Sequence, residues 1–461
     1  MHTTPSDDHT ERPTPVGATA PPASPAQDTA VRSGVTDPQE RRRILGATLV
    51  GTTIEWYDFF IYAQAAGLVF ATQFFRPLGE DNASLAQIVS WASLGISFLF
   101  RPLGAAIAGH LGDRYGRKVV LAMTLILMGT ATALIGVLPT YSTIGAAAPV
   151  LLIVLRIVQG FSAGGEWGGA ALLSVEHAPR SRRGYFGSFP QLGVPIGLGV
   201  ATGVLLILNL LFGRDGYQQW AWRVPFILSF ALIIVGIFIR RRVSESPVFE
   251  EIRERSRESS APMSLLLTKH LRTVLKAALI FAANNAAGYM IISFMGTYAT
   301  KSLGMSQESI FLCIIVGSVA WGMTTLWSGA VSDRHGRVQT FLVGYAILLV
   351  LAVPVWLLID TRSIWMFGLA VLLFIPGLSL SYGPQSALYA EMFDRSVRYS
   401  GVSLAYALGS ILGGAFAPMI AELLLSRTGV SWSVGIYIMV MCVISMTALA
   451  LTPRTLADRE L

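Results

Sequence analysis

Twelve apolar runs, each about long enough to cross a bilayer, dominate this chain. A helix needs roughly 20 residues to span a hydrocarbon core of about 30 Å. Runs of that length lie near 45–70, 86–109, 119–138, 149–172, 185–211, 222–240, 273–299, 309–331, 338–359, 364–389, 399–424 and 433–452. They are continuous and do not alternate with period two. A β-barrel, the other way to satisfy backbone groups in lipid, is therefore excluded. Only 13% of the 461 residues are Asp, Glu, Lys or Arg, about half of the roughly 25% found in soluble domains. Cys313 and Cys442 sit in apolar runs, which leaves no disulfide framework or Cys-based zinc site. The expected fold is an all-α membrane protein of twelve transmembrane helices.

Residues 1–40 differ from the rest. They hold seven prolines and almost no large apolar side chains, too little apolar surface to offset the entropy of ordering. No early apolar stretch marks a secretory signal, so a disordered tail is expected. Basic residues set the orientation. With both termini in the cytoplasm, the cytoplasmic loops and adjoining span ends carry 26 of the 34 Lys and Arg, and the opposite side carries six. That asymmetry accounts for the +7 net charge without a nucleic-acid partner. The longest internal loop, 241–272, follows the sixth run. The expected organisation is thus a tail (1–40), a six-helix half (41–240), a cytoplasmic linker (241–272), a second six-helix half (273–453) and a cytoplasmic C-terminus (454–461).

The two halves repeat one another. Gly109-His-Leu-Gly-Asp113-Arg114-Tyr-Gly116-Arg117-Lys follows the second run, and Gly329-Ala-Val-Ser-Asp333-Arg334-His-Gly-Arg337 follows the eighth. Glu176-His-Ala-Pro-Arg180-Ser-Arg-Arg183 follows the fourth, and Glu391-Met-Phe-Asp-Arg395-Ser-Val-Arg398 the tenth. Two matched motifs at nearly one offset imply a duplicated unit with both copies in the same orientation. Parallel repeats around a midplane site are a transporter architecture.

Ionisable residues inside a span cost roughly 2.5–3.5 kcal/mol or more, so they face a wet cavity or a partner. Glu55, Asp58, Arg156 and Glu166 stand out. At 3.6 residues per turn, Glu55, Asp58 and Tyr62 share one face of the first span, and Arg156 and Gln159 share a face of the fourth. Glu166 lies about 80° round from Arg156. In this reading Arg156 binds a substrate carboxylate with its two-pronged guanidinium, and Tyr62 and Gln159 join it as substrate-binding residues. Asp58 or Glu55 alternates between a proton and Arg156, and Glu166 is either a coupling carboxylate or a gate. Arg101 is expected to snorkel towards the cytoplasmic interface. The glycines from Gly160 to Gly169 are expected to let the fourth span approach a neighbour closely.

The motifs point to a family. Gly109-x-x-x-Asp113-Arg-x-Gly-Arg-Lys resembles the loop 2–3 signature of the major facilitator superfamily, and Arg156-x-x-Gln-Gly160 resembles its second signature. Glu55-Trp-Tyr-Asp58-Phe-x-x-Tyr62, Phe100-Arg-Pro-Leu-Gly104 and Gly164-Gly-Glu-Trp-Gly-Gly169 are similar to the metabolite:proton symporter branch. That branch includes shikimate, α-ketoglutarate, citrate and proline/betaine permeases. The resemblance covers roughly 45–453, and the run from Gly164 to Glu176 looks most like the shikimate-type members. It implies a cavity lined by spans one, four, seven and ten. Asn284, Asn285, Tyr289, Tyr382 and Gln385 would then hydrogen-bond the substrate, Tyr289 and Gln385 foremost. It also implies a cytoplasmic gate made by Gly109, Asp113, Arg114, Gly116 and Arg117, repeated at Asp333, Arg334 and Arg337.

Other classes fit less well. Gly160-Phe-Ser162-Ala-Gly164 matches a hydrolase nucleophile elbow, but that motif needs a strand-to-helix turn and here lies within an apolar helix. No Gly-Lys dipeptide occurs, hence no P-loop, and there is no His-Glu-x-x-His. A channel would need a filter-like segment. The expected function is proton-coupled uptake of a small organic acid by alternating access, a shikimate-like carboxylate first. A dicarboxylate, a betaine or proline-type zwitterion, or an uncoupled uniporter stands second. The expected partners are a small carboxylate, protons and the lipid bilayer. A monomer in the plasma (inner) membrane, with no cofactor, no metal and no enzymatic activity, completes the reading. Asp113→Asn is expected to lower the maximal uptake rate while leaving the half-saturation concentration unchanged, a separation that initial-rate uptake into vesicles measures.

Overall fold

A computed structural model describes residues 38–76, 83–115, 117–164, 166–176, 178–242, 266, 268–394 and 397–452. The tail expected over 1–40 lies outside these residues up to position 37, as do 243–265 of the linker and the C-terminus expected over 454–461.

Each apolar run is helical. The helices are α1 Pro38–Ala65, α2 Ala83–Tyr115, α3 Arg117–Val137, α4 Ala147–Ser162, α5 Gly193–Gly216, α6 Arg223–Arg242, α7 Leu271–Tyr289, α8 Gln307–His335, α9 Arg337–Asp360, α10 Ile364–Tyr382, α11 Arg398–Ser410 and α12 Trp432–Ala450. Glu166–Glu176, Gln385–Met392 and Ala417–Thr428 continue α4, α10 and α11. Among the described residues, nine helices are long and apolar enough to cross a membrane, and no strand occurs. Lipid offers the backbone no hydrogen-bond partner, so helices that satisfy themselves internally are the solution this composition permits.

Small residues set how closely the helices approach. Gly160 faces α2 so tightly that a Cβ there would collide with the Ser97 carbonyl. One turn on, a Cβ at Gly164 would meet the Arg101 carbonyl, and Gly104 answers from α2 against Phe161. The close neighbour expected for the fourth span is therefore α2. Gly413 does the same for the α11 segment, against the Ala282 carbonyl of α7. Such backbone proximity gains dispersion contacts that lipid tails cannot match. The first six and last six helices meet along α5 with α8 and along α2 with the α11 segment.

Two π turns extend α1 and α7, at Ala66–Phe70 and Met290–Met295. Their first residues are 224 positions apart, close to the 220 that separate Asp113 from Asp333. The Ala66 carbonyl, at the start of the first π turn, accepts from Gln87 Nε2 at 3.1 Å and Ser90 Oγ at 2.6 Å.

Gly160→Val should destabilise the protein by about 1–3 kcal/mol or more through overpacking. Gly203→Ala, where nothing lies within 4 Å, should be neutral or stabilise by up to about 1 kcal/mol. Thermal melting of the two purified variants beside the parent chain checks both.

Candidate functional site

Four buried ionisable side chains surround one cavity. Glu55 and Asp58 come from α1, Arg101 from α2 and Arg156 from α4. The cavity holds about 20 Å³, room for about one water molecule. Two cations and two anions leave the cluster formally neutral, which limits the cost of placing charge inside the bundle.

Arg156 is 2% exposed. Its Nη1 donates to Gln159 Oε1 at 2.7 Å, and its Nη2 donates to Ser97 Oγ at 2.7 Å and the Leu94 carbonyl at 3.1 Å. The guanidinium lies 3.7 Å from the centroid of the Tyr62 ring and 5.8 Å from that of Phe59, so aromatic faces supply part of the lost hydration. Tyr62 thus serves Arg156 with its ring, while its hydroxyl bonds Ser93 Oγ at 2.7 Å.

Asp58 accepts from Thr132 Oγ1 of α3 at 3.2 Å and from Ser229 Oγ of α6. The contact between Asp58 and Arg156 anticipated from the sequence is indirect. Gln159 Nε2 donates to Thr132 Oγ1 at 2.6 Å, so Gln159 and Thr132 stand between the two charges. A direct pair would have to displace an amide that already satisfies the guanidinium at 2.7 Å.

Arg101 departs from expectation. Instead of reaching for the interface it is buried, 3.9 Å from Glu55 Oε1 and 4.6 Å from the Phe98 ring centroid. The carboxylate and the ring face hold the guanidinium inside the bundle, and neither was evident from spacing along α2.

The residues lining the cavity all come from the first six helices, and side chains of the last six pack against that lining. Tyr289 packs edge-on against Phe59 and Phe98, at 5.3 and 5.6 Å between centroids. Tyr382 stacks on Phe281, and Phe281 on Tyr406, which lies 3.8 Å from Trp167 of the α4 segment. The hydroxyls of Tyr289 and Tyr382, Asn285 Nδ2 and Gln385 Nε2 are buried without a hydrogen-bond partner. Such groups cost about 1–3 kcal/mol each, and a polar substrate could satisfy them. Asn284 behaves differently. It donates to the Leu378 carbonyl at 3.0 Å and Ser381 Oγ at 2.8 Å, tying α7 to α10. Gln385 Oε1 accepts from Gln191 Nε2 at 2.9 Å, which joins the two sets of helices.

Contacts between the two sets of helices occur at both ends of the bundle. At one end Asp333 Oδ1 accepts from the Gly184 N–H at 2.8 Å, and Oδ2 from the Tyr185 N–H at 2.9 Å. Arg337 pairs with Asp333 at 2.7 Å and with Glu391 at 3.3 Å, while Arg334 is exposed. Arg398 reaches Glu176 at 3.4 Å. At the other end Lys301 Nζ donates to Gln87 Oε1 at 2.9 Å, and Asn209 Nδ2 to Glu308 Oε1 at 2.5 Å. The side chains of Glu166, Gly109, Asp113, Arg114 and Arg117, and all of Gly116, lie outside the described residues. Among those described, no cluster of His, Cys, Asp and Glu could hold a metal ion.

Sequence reasoning overlooked Ser97, Thr132, Gln191 and Ser229. Each is a small or neutral polar residue in an apolar helix, a pattern that most often marks a hydroxyl bonded to its own helix. Only the tertiary placement reveals their partners.

The Major Facilitator Superfamily model matches residues 48–418. The inner membrane metabolite transport protein YhjE of Escherichia coli is 39% identical over 421 residues, covering 90% of this chain and 94% of that protein. The shikimate transporter of the same organism is 36% identical over 420 residues, 89% and 94% of the two chains. A crystal structure of a D-xylose–proton symporter superposes with a TM-score of 0.70 at 18% identity, over 90% of this chain and 98% of that one. Twelve helices in this arrangement, three of them carrying buried charges onto one cavity, therefore have relatives that move metabolites across membranes, and the chain belongs to the Major Facilitator Superfamily.

Proposed function

We propose that this transporter takes up a small organic acid together with protons, by alternating access through the cavity between Asp58 and Arg156. The observation that carries the reading is the geometry of that pair. A buried cation suited to a carboxylate and a buried acid share one wall, and neutral groups separate them. Protonation of Asp58 removes the negative charge that balances Arg156. Arg156 then favours a substrate carboxylate, and the loaded site stays close to neutral as it crosses the membrane. Loss of the proton on the far side restores the competing anion and expels the substrate. Glu55 and Arg101 form a second charge pair beside the first and keep the remaining charge balanced.

A hydroxylated ring acid of the shikimate type suits the polar and aromatic groups that the last six helices bring up behind the cavity. The free hydroxyls of Tyr289 and Tyr382 and the amides of Asn285 and Gln385 offer both donors and acceptors. The aromatic faces of Phe59, Phe98 and Phe281 offer a flat apolar surface. The 36%-identical relative named as a shikimate transporter points the same way. Substrate entry requires the halves 41–240 and 273–453 to part at one end. We place both termini in the cytoplasm, with the Asp333 contacts closing the cytoplasmic end of a monomer in the inner membrane.

Reconstituted liposomes carrying an internal pH dye should acidify when shikimate is added outside. α-Ketoglutarate, citrate and glycine betaine serve as comparisons, and acidification with one of those alone would move the substrate class. Silence with all four would count against proton coupling. Asp58→Asn should abolish accumulation against a gradient yet still exchange labelled shikimate across the membrane. Continued accumulation by this variant would exclude Asp58 as the proton carrier. Arg156→Lys should raise the half-saturation concentration roughly 10- to 100-fold, the scale of one charge-assisted hydrogen bond.

A further inference from the structure

We infer that Thr132 is the positioning residue through which the protonation state of Asp58 is passed to Arg156, by way of Gln159. This rests on the proton-coupling role proposed for Asp58 and adds the route by which that role reaches the substrate-binding cation.

The hydrogen bonds run in one direction. Arg156 Nη1–H donates to Gln159 Oε1 at 2.7 Å, Gln159 Nε2–H donates to Thr132 Oγ1 at 2.6 Å, and Thr132 Oγ1–H donates to Asp58 Oδ2 at 3.2 Å. Arginine has only donors, so the Gln159 amide must present its oxygen to Arg156 and its nitrogen to Thr132. The chain starts on a cation and ends on an anion, with every dipole aligned. Aligned hydrogen bonds polarise one another, so the carboxylate charge strengthens the grip of Gln159 on Arg156 across three links.

Protonation of Asp58 reverses the last link. Ser229 donates to Oδ1 and Thr132 to Oδ2, and because Thr132 has another acceptor to turn to, Oδ2 is the oxygen that can take the proton in this relay. Thr132 has a single hydroxyl hydrogen and a second acceptor within reach, the Met128 carbonyl at 2.9 Å. When Asp58 Oδ2 carries a proton it donates to Thr132 Oγ1, and the Thr132 hydrogen turns to Met128. Nothing dissociates beyond the proton on Asp58, and every donor keeps an acceptor. Thr132 Oγ1 now accepts twice, from Asp58 and from Gln159, and the aligned run is broken. The hold of Gln159 on Arg156 weakens as the proton arrives, which frees the guanidinium for an anion.

The other charged or titratable groups around Asp58 do not supply this link. Glu55 and Arg101 face each other across the cavity at 3.9 Å. The Tyr62 hydroxyl is held by Ser93 and that of Tyr57 by the Pro225 carbonyl. Arg223 of α6 donates to the carbonyls of Gly136 and Leu138.

Infrared difference spectra of the purified full-length protein, recorded between acid and alkaline pH without substrate, test the relay. The parent spectrum should contain a carboxyl C=O band that Asp58→Asn removes, and guanidinium bands that Arg156→Lys removes. Thr132→Val, which keeps the shape and loses the hydroxyl, should keep the carboxyl band and lose the guanidinium shift. Thr132→Ser should keep both. A guanidinium shift that survives Thr132→Val, or one absent from the parent, overturns the relay and leaves Asp58 as the proton carrier. If no carboxyl band depends on Asp58, the proton-coupling reading itself fails, whatever Thr132 does. Should Thr132→Val not fold, Gln159→Met breaks the same chain one link along and is read in the same way.

Discussion

A guanidinium held inside a membrane bundle is the constraint around which the rest is arranged. Arg156 keeps its charge and is almost wholly buried, so its neighbours must replace most of its hydration. Gln159, Ser97 and the Leu94 carbonyl take the hydrogen bonds, and the Tyr62 ring covers a face. Each helper needs α1, α2 and α4 to lie close together. The small residues supply that proximity, since Gly160 and Gly104 let α4 and α2 touch backbone to backbone. The same close contact places the Ser97 hydroxyl within reach of Arg156. Packing and electrostatics therefore share residues, and neither can change alone.

Closure at the two ends relies on different chemistry. The Asp333 end joins a carboxylate to backbone N–H groups of Gly184 and Tyr185, reinforced by Arg337 and Glu391. The Lys301 end uses single side-chain contacts to neutral amides. Arg337 only braces Asp333 from within its own set of helices, so what parts on opening there is the pair of N–H contacts and the Arg398–Glu176 ion pair, whereas at the other end Lys301 meets an amide oxygen across the halves. In the alternating access proposed above both ends open in turn, so this difference in bond type bears on the order in which they do so.

Most of the architecture could be read from the chain, because twelve long apolar runs allow lipid-facing helices and little else. Glu55, Asp58 and Arg156 were visible for the same reason, since charge deep in an apolar run is costly enough to demand a partner or a wet cavity. Thr132 and Ser229 were not visible. A hydroxyl in an apolar helix can satisfy itself on its own backbone, as Thr132 also does on Met128. Its second role depends on α3 and α6 lying against α1, which spacing cannot reveal. Arg101 was misjudged because snorkelling depends on what lies beside the side chain, and Phe98 and Glu55 hold it inside. The receivers of Asp333 were hidden more completely, since backbone N–H groups leave no mark on a sequence.

Gln87 joins two features that spacing along the chain keeps far apart. Its amide nitrogen holds the Ala66 carbonyl at the π turn that extends α1, and its amide oxygen receives Lys301 from the far set of helices. One planar group faces both ways, and only one of its two flipped orientations serves both partners. When Lys301 withdraws, the nitrogen keeps its grip on α1, so the oxygen stays aimed at the place the ammonium left. The socket is preorganised on one half and the plug is carried by the other. Reclosure then costs the ordering of one flexible lysine rather than two side chains, and the sense of the Gln87 amide is inherited from a distortion in the helix that also carries Asp58.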